Sequence, residues 1–284
     1  MPEGSHRFQV GSIACTVLSD GYYSYPAAWF FPNADPAELV RAMEGHHLPT
    51  DSVLSPYTCL LIETGRHTVL VDTGAGESSR TSGAIQARLE MAGVRSKDVD
   101  TVILTHAHAD HIGGAIDLCG RSAFPNARYV LSETEWEFWT GARTDLGPLR
   151  VPDAAKESIN SMARRCLGVL RHQIEPIDGE TEVVPGIVAI PAPGHTPGHL
   201  AVLIASEGHY LLNLGDAAVH PLHLEQPSWQ NGFDLAPERA LLTRRWLMDR
   251  AIADDMHLMA FHFPFPSVGR VAANNGGWLW TPGW

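Results

Sequence analysis

Short runs of branched and aliphatic residues alternate with longer amphipathic stretches along this chain, the pattern of strands interleaved with helices. "YTCLLIET" (57 to 64) and "HTVLVDTG" (67 to 74) flank Gly65-Arg66 and predict a hairpin. Apolar positions in "SGAIQARLEMAGV" (82 to 94) recur at helical spacing and stop near Gly93; "DTVILT" (100 to 105) then reads as a short buried strand. "ARYVLS" (127 to 132) predicts another strand, followed by a helical "ETEWEFWTGA" and a longer helix over 153 to 171.

The second half repeats the theme. "EVVPGIVAIPAPGHT" (182 to 196), "HLAVLIAS" (199 to 206) and "HYLLNLGD" (209 to 216) predict consecutive strands with turns at Gly194 and Gly208. "APERALLTRRWLMDRAIADD" (236 to 255) is the clearest helix, with Pro237 in its first turn and Glu238 beside its positive end. "HLMAFHFPFP" (257 to 266) predicts a strand halted by prolines. No Ser/Gly-rich or charged linker divides the halves, so the expectation is one α/β domain over residues 1–284, two sheets with helices outside.

Composition narrows the partners. At 284 residues and 44% hydrophobic, the chain can bury a substantial core, which excludes fibrous and disordered classes. The formal net charge of −12, with no cluster of Lys and Arg long enough to follow a phosphate backbone, argues against nucleic acid. The run "MPEGSHRFQVGS" has neither a basic nor an apolar leader segment, and no window of about 18 uninterrupted apolar residues occurs, so a cytoplasmic protein without a membrane partner is expected. Cys15, Cys59, Cys119 and Cys166 show no C-x-x-C spacing and suit ordinary packing in a reducing compartment.

Histidine stands out, at 15 residues. In "THAHADHIGG" (105 to 114), His106 and His108 lie two apart behind an apolar strand, so in extended chain their rings project from one side; Asp110 and His111 follow at once. Imidazole nitrogen and carboxylate oxygen suit Zn²⁺ and its neighbours, and a catalytic ion needs only about three protein ligands plus an open position. Four donors within residues 106–111 exceed what one such ion takes from a single turn, which leaves room for two. A lone histidine is far more often a satisfied core or surface residue, but His195, Asp216 and His262 each end a predicted strand, where open α/β sheets gather their ligand sites.

With those residues in place, the chain resembles the metallo-β-lactamase superfamily of dinuclear metallohydrolases, from about residue 10 to its end, with all seven ligand positions occupied in order. The resemblance implies an αββα sandwich of two mixed sheets flanked by helices. It also implies one divalent ion on His106, His108 and His195, a second on Asp110, His111 and His262, and Asp216 bridging them; Zn is the first candidate, with Mn, Fe or Co accepted by the same donors. Asp72 in "VLVDTG" matches a motif position and is expected to orient a ligand imidazole. Two such ions generate hydroxide from a shared water at neutral pH, and Asp110 is placed to hold its remaining proton and pass it to the leaving group.

Departures from other branches sharpen the expectation. Asp216 stands where many β-lactamases of this superfamily have cysteine, and His108 where diiron flavoproteins have Glu. Neither a basic RNA-binding surface nor a basic glutathione-binding end is present; the carboxy-terminal "NNGGWLWTPGW" is aromatic and uncharged. "GDAAVHPLHLEQPSW" (215 to 229), "HFPFPSVGRV" (262 to 271) and the terminal Gly-Trp-x-Trp-x-Pro resemble the methyl parathion hydrolase-like group and the quorum-quenching lactonases. That implies a hydrolase of small apolar esters or lactones, with organophosphate triesters as the alternative and a catalytically retired sensor of the same fold as the remote one. Acyl-homoserine lactonases carry a tyrosine three residues after the bridging aspartate; here Val219 occupies that position and His220 adjoins it, a candidate to orient substrate or stabilise an oxyanion, or simply a packed histidine. His223 is expected to be structural or exposed. Trp29, Phe30, Val219, His220 and Phe263 are the candidate pocket residues, with Phe31, Trp136, Trp139, Trp229 and Phe265 as further aromatic wall. Aromatic ends and apolar loops point to a homodimer.

Overall fold

The computed structural model describes residues 4–76 and 80–284; the first three residues of the amino-terminal run and Glu77 to Ser79 lie outside the described residues. One seven-stranded sheet takes its strands in chain order: β1 (Ser5–Val10), β2 (Ile13–Pro26), β3 (Ser52–Glu63), β4 (Thr68–Val71), β5 (Thr101–Ile103), β6 (Arg128–Ser132) and β7 (Ile174–Ile177). The second contains β8 (Thr181–Val184), β9 (Ile187–Pro191), β10 (Leu200–Ser206), β11 (His209–Asn213), β12 (His257–Met259), β13 (Val268–Asn274) and β14 (Gly277–Pro282), again in chain order across the sheet. Both sheets are mixed. The first is antiparallel from β1 to β4 and parallel from β4 to β7; the second is antiparallel except for the parallel pair of β11 and β12.

Side-chain alternation along the strands sets the layers. Val69, Val71 and Ile103 join Val202, Leu211 and Met259 in a core between the two sheets. Leu70, Val102 and Leu104, one residue out of phase, face the other way and pack with Leu89, Ala163, Cys166 and Leu167 of the helices Ile85–Met91 and Asp153–Leu170. The second sheet is covered in the same manner, with Leu203, Leu212 and Leu258 against Leu247 and Met248 of the helix Pro237–Ala253. Two mixed sheets between flanking helices form the αββα sandwich that the family resemblance implied.

Some predicted elements change length. The run over 182 to 196 is a hairpin rather than one strand, because Gly186 at φ +83 turns the chain between β8 and β9. The run over 257 to 266 keeps only three paired residues, and its remainder is a loop that carries His262 away from the sheet. The four cysteines are unpaired, with Cys119 exposed and the others buried. No described helix is long and apolar enough to cross a membrane.

The strand directions decide where the chemistry collects. β4 and β5 are parallel, as are β11 and β12, while β9 runs with β11 because both are antiparallel to β10. The loops after β4, β5, β9, β11 and β12 therefore open on one edge of the sandwich, and those loops carry Asp72, the His106 to His111 turn, His195, Asp216 and His262. At the end of β4, Asp72 takes the left-handed region at φ +59, uncommon for a side chain other than Gly, Asn or Asp. A bulge in β2 places Asp20 so that its carboxylate accepts the N–H groups of Ala75 (2.9 Å), Gly83 (3.1 Å) and Ile85 (2.9 Å), pinning the loop beyond Asp72. Gly74, at φ +75, is required there: a Cβ would come within 2.3 Å of the Asp20 carboxyl carbon.

Candidate metal centre

At that edge three groups of donors converge, the candidate ligand atoms within each lying within 4.8 Å of one another: His106, His108 and His195; His106, His111 and Asp216; Asp110, His111 and His262. Asp216 faces both ends of the set. Its Oδ2 lies 3.2 Å from Nε2 of His195 and 3.2 Å from Nε2 of His262, and its Oδ1 lies 3.3 Å from Nε2 of His111. Asp110 reaches the His262 side, with Oδ2 at 3.4 Å from His262 Nε2.

Behind the convergent atoms, the far nitrogen of four imidazoles is held. His111 Nδ1 donates to Asp72 Oδ2 at 2.8 Å, and His195 Nδ1 to Asp234 Oδ1 at 2.9 Å. His106 Nδ1 lies 3.1 Å from the Thr105 hydroxyl; His262 Nδ1 lies 2.8 Å from Ser55 Oγ and 3.0 Å from the Pro56 carbonyl. Such partners fix ring orientation and tautomer, leaving Nε2 free to accept a cation. Asp72 therefore stands against a candidate ligand imidazole, and it also accepts the Thr105 N–H at 2.8 Å, tying the ends of β4 and β5 together.

The donor set fits divalent cations. His106 Nε2, His111 Nε2 and Asp216 Oδ1 are buried without a well-formed hydrogen bond among the described residues, the last two only 3.3 Å apart, while His108 turns its Nδ1 to within 3.0 Å of His195 Nε2. Buried polar atoms left this way are costly and rare, and a cluster of converging imidazoles and a carboxylate is what a pair of cations would satisfy. The electrostatics agree. Burial and the neighbouring imidazoles push His106 and His108 well below the usual histidine range, so both present neutral, ligating rings. Burial alone would raise Asp216, but His262, His111 and His195 outweigh it and hold the carboxyl well below its usual range. Burial likewise disfavours charge on His195, yet Asp216 and Asp234 lift it to about 9, so without a cation the cluster holds protons in its place.

Several supporting residues escaped sequence reasoning. His199, the second histidine of "PAPGHTPGH", is fully buried; its Nδ1 donates to the Ala192 carbonyl at 3.0 Å, and its Nε2 accepts the Asp216 N–H at 2.9 Å. Gly215 is held against that ring at φ +50, where a Cβ would sit 2.7 Å from His199 Nε2. Glu135, in a stretch that reads as an acidic helix, is buried and accepts from Ala107 N–H (3.1 Å), Trp139 Nε1 (2.6 Å), Thr196 Oγ1 (2.6 Å) and Gly198 N–H (3.0 Å). It clamps the His106–His108 turn to the His195 loop. Arg244, from the Pro237–Ala253 helix, is buried and donates Nε–H to the Ala217 carbonyl at 2.8 Å, bracing the chain just past Asp216.

A cavity of about 310 Å³ opens beside the cluster, lined by Asp110, His108, His195, Asp216 and His262 and also by Tyr25, Trp29, Phe30, Tyr57, Val219, Asn231 and Phe233. A larger open groove of about 1280 Å³ runs along residues 113–125 and touches none of the seven donors. Of the candidate pocket residues, Trp29, Phe30 and Val219 line this cavity, and His220 and Phe263 do not. His220 is buried outside the lining, its Nδ1 accepting the Leu222 N–H at 3.2 Å and its ring set edge-on to Phe31 at 5.5 Å. Phe263 is fully buried behind the second sheet against Trp280, at 5.0 Å between centroids, because its strand ended at Met259. Trp139 and Trp229 are core, and His223 is buried with Nε2 donating to the Phe30 carbonyl at 2.9 Å. Tyr25, Tyr57 and Phe233 were not foreseen; burial, then Asp110, raises both phenols well above their usual range, so both remain protonated.

The chain belongs to the metallo-β-lactamase superfamily, whose family model matches residues 53–249, and this edge-of-sandwich cluster is its candidate metal site. Among its relatives, the N-acyl homoserine lactonase AiiA of Bacillus thuringiensis subsp. kurstaki is 31% identical over 208 residues, covering 66% of this chain and 72% of that protein. An N-acyl homoserine lactonase of Bacillus cereus is 28% identical over 228 residues, covering 72% and 81%. The fold is shared with AidC, described as a dizinc quorum-quenching lactonase, at a TM-score of 0.92 with 24% identity over 99% of this chain and 98% of that one. It is also shared with the hydrolase AbOPH, at a TM-score of 0.88 with 23% identity over 98% and 97%.

Proposed function

We propose that this protein opens the ester ring of small apolar lactones, N-acyl homoserine lactones foremost, with two divalent cations of which Zn²⁺ is the first candidate. The observation that carries the reading is Asp216, its Oδ2 3.2 Å from His195 and His262 and its Oδ1 3.3 Å from His111, beside a cavity lined in part by aromatic residues. His106, His108 and His195 would hold one ion, Asp110, His111 and His262 the other, and Asp216 both. When bound, such ions lower the pKa of a shared water toward about 7 and polarise an ester carbonyl.

The chain's own residues supply the remainder. Asp234, Asp72, Thr105 and Ser55 keep the imidazoles aimed. Asp110, whose side chain is 18% exposed against 4% for Asp216, is the more open carboxylate of the cavity lining. It takes the proton that water gives up on adding to the acyl carbon, and returns it to the alkoxide oxygen when the ring C–O bond breaks, yielding a hydroxy acid. Trp29, Phe30, Val219 and Phe233 exclude water and receive the acyl chain, a lining matched to an apolar tail.

Steady-state kinetics on N-hexanoyl homoserine lactone and on an aryl phosphotriester test the assignment. The lactone should give the larger kcat/KM by at least about tenfold, a difference of about 1.4 kcal/mol in transition-state binding. A preference for the phosphotriester would overturn it.

A further inference from the structure

We propose that Tyr25 and Tyr57 act as one hydrogen-bonding unit that contacts the reacting ester group of the substrate, an assignment that rests on the lactone-opening function above. The two residues sit on neighbouring strands, β2 and β3, and their hydroxyl oxygens are 2.7 Å apart. Two phenols carry two protons. One is used between the oxygens; the other has no acceptor among the described residues. Either phenol can carry that spare proton; Tyr57 is 4% exposed and Tyr25 half-buried, so bulk water reaches the pair only in part.

The surroundings leave one direction for it. Both residues line the cavity together with Asp110, Asp216 and His262. Tyr57 stands edge-on to His262, with centroids 5.6 Å apart. Tyr25 is packed against Phe30 at 5.4 Å and Phe233 at 5.6 Å, which fixes its ring without engaging its hydroxyl. Past the Asp216 turn, Val219 is apolar and His220 is turned to the Leu222 N–H, so neither supplies such a donor. A fixed, water-poor donor beside the cluster is suited to the ester oxygen on which negative charge grows as the acyl carbon is attacked. Because the phenols share one hydrogen bond, removing either hydroxyl disorders the donor left behind.

The test compares the metal-loaded wild type with Tyr25→Phe, Tyr57→Phe and the double variant, each retaining its ring. On N-hexanoyl homoserine lactone, each single change should lower kcat about 10²-fold with KM within about threefold, as expected for loss of a donor to a developing oxyanion. The double variant should be no worse than the more damaged single one, the signature of residues acting as a unit. Metal content should stay at two ions per chain. Unchanged kcat, a loss confined to KM, losses that multiply as independent effects, or losses that track missing metal would each overturn the proposal. Binding of the ring-opened product, N-hexanoyl homoserine, separates this failure from that of the parent reading. The double variant should bind it about tenfold more weakly, as expected for one lost hydrogen bond. A wild type that binds the product without opening the lactone refutes the lactone function, and the pair then stands or falls on that binding difference. A wild type that neither binds nor hydrolyses refutes both.

Discussion

Asp234 Oδ1 lies 2.9 Å from Nδ1 of His195 across 39 residues of sequence. The contact is built into the backbone, because Leu235 N–H donates to the His195 carbonyl at 3.0 Å and Ala236 N–H to that of Gly194 at 2.9 Å. A carboxylate there raises the basicity of the ring and holds Nε2 toward Asp216. Asp234→Asn should weaken the cation affinity proposed for His106, His108 and His195 by about 10–100-fold and leave that of the Asp110, His111 and His262 group near its original value. Competition with a chromophoric chelator reads both sites, and two unchanged affinities would show that His195 is oriented by packing alone.

Glu135 joins the two loops that carry those histidines. Oε1 accepts from Ala107 and Trp139, and Oε2 from Thr196 and Gly198, so each oxygen faces donors only. In Glu135→Gln the new NH₂ must oppose at least one N–H whichever way the amide turns, since the Thr196 hydroxyl can accept from it but the Gly198 N–H, like those of Ala107 and Trp139, cannot. Leaving buried N–H or O–H groups unmatched costs about 2–4 kcal/mol. Thermal unfolding of the metal-free variant should begin roughly 5–10 °C lower than that of the parent. An unchanged transition would mean the loop clamp carries no stability.

The seven donors were legible because their signal is local, three histidines and an aspartate behind one strand, with further donors after three more strands. Strand and helix order was legible for the same reason, through period-two and helical spacing in "DTVILT" and "APERALLTRRWLMDRAIADD". Asp234, Glu135 and the Tyr25–Tyr57 pair were not. Each is an ordinary polar or aromatic residue within its own segment, and its role comes from a partner brought to it by tertiary folding. Phe263 went the other way: an aromatic residue beside His262 read as pocket wall, but the loop after β12 turns it behind the sheet.

His220 offers a pH test away from the cluster. Burial, with His46 nearby, pushes its imidazole down to about 3, against about 6.5 in an unfolded chain. Between those values the unfolded chain binds the extra proton, so the stability due to neutral His220 is complete above about 6.5 and is lost as pH falls toward 3. His220→Asn keeps an acceptor for the Leu222 N–H, the two-residue reach of an Asx turn. Its stability should fall less steeply over that window, by up to about 1.4 kcal/mol per pH unit, in denaturant titrations at a series of pH values. Its kcat/KM on a lactone should stay within about threefold of the parent, since the residue lies outside the cavity lining. A large loss of rate would return His220 to the reaction.

The most direct measurement is a stoichiometric titration of metal-free protein with Zn²⁺, following bound metal and hydrolysis of N-hexanoyl homoserine lactone together. Hydrolysis should rise with added Zn²⁺ and level off at two ions per chain, matching the two donor groups that share Asp216. A chain that fills both sites and leaves the lactone intact, or one that opens it at full rate with no metal bound, would contradict a two-cation lactone hydrolase.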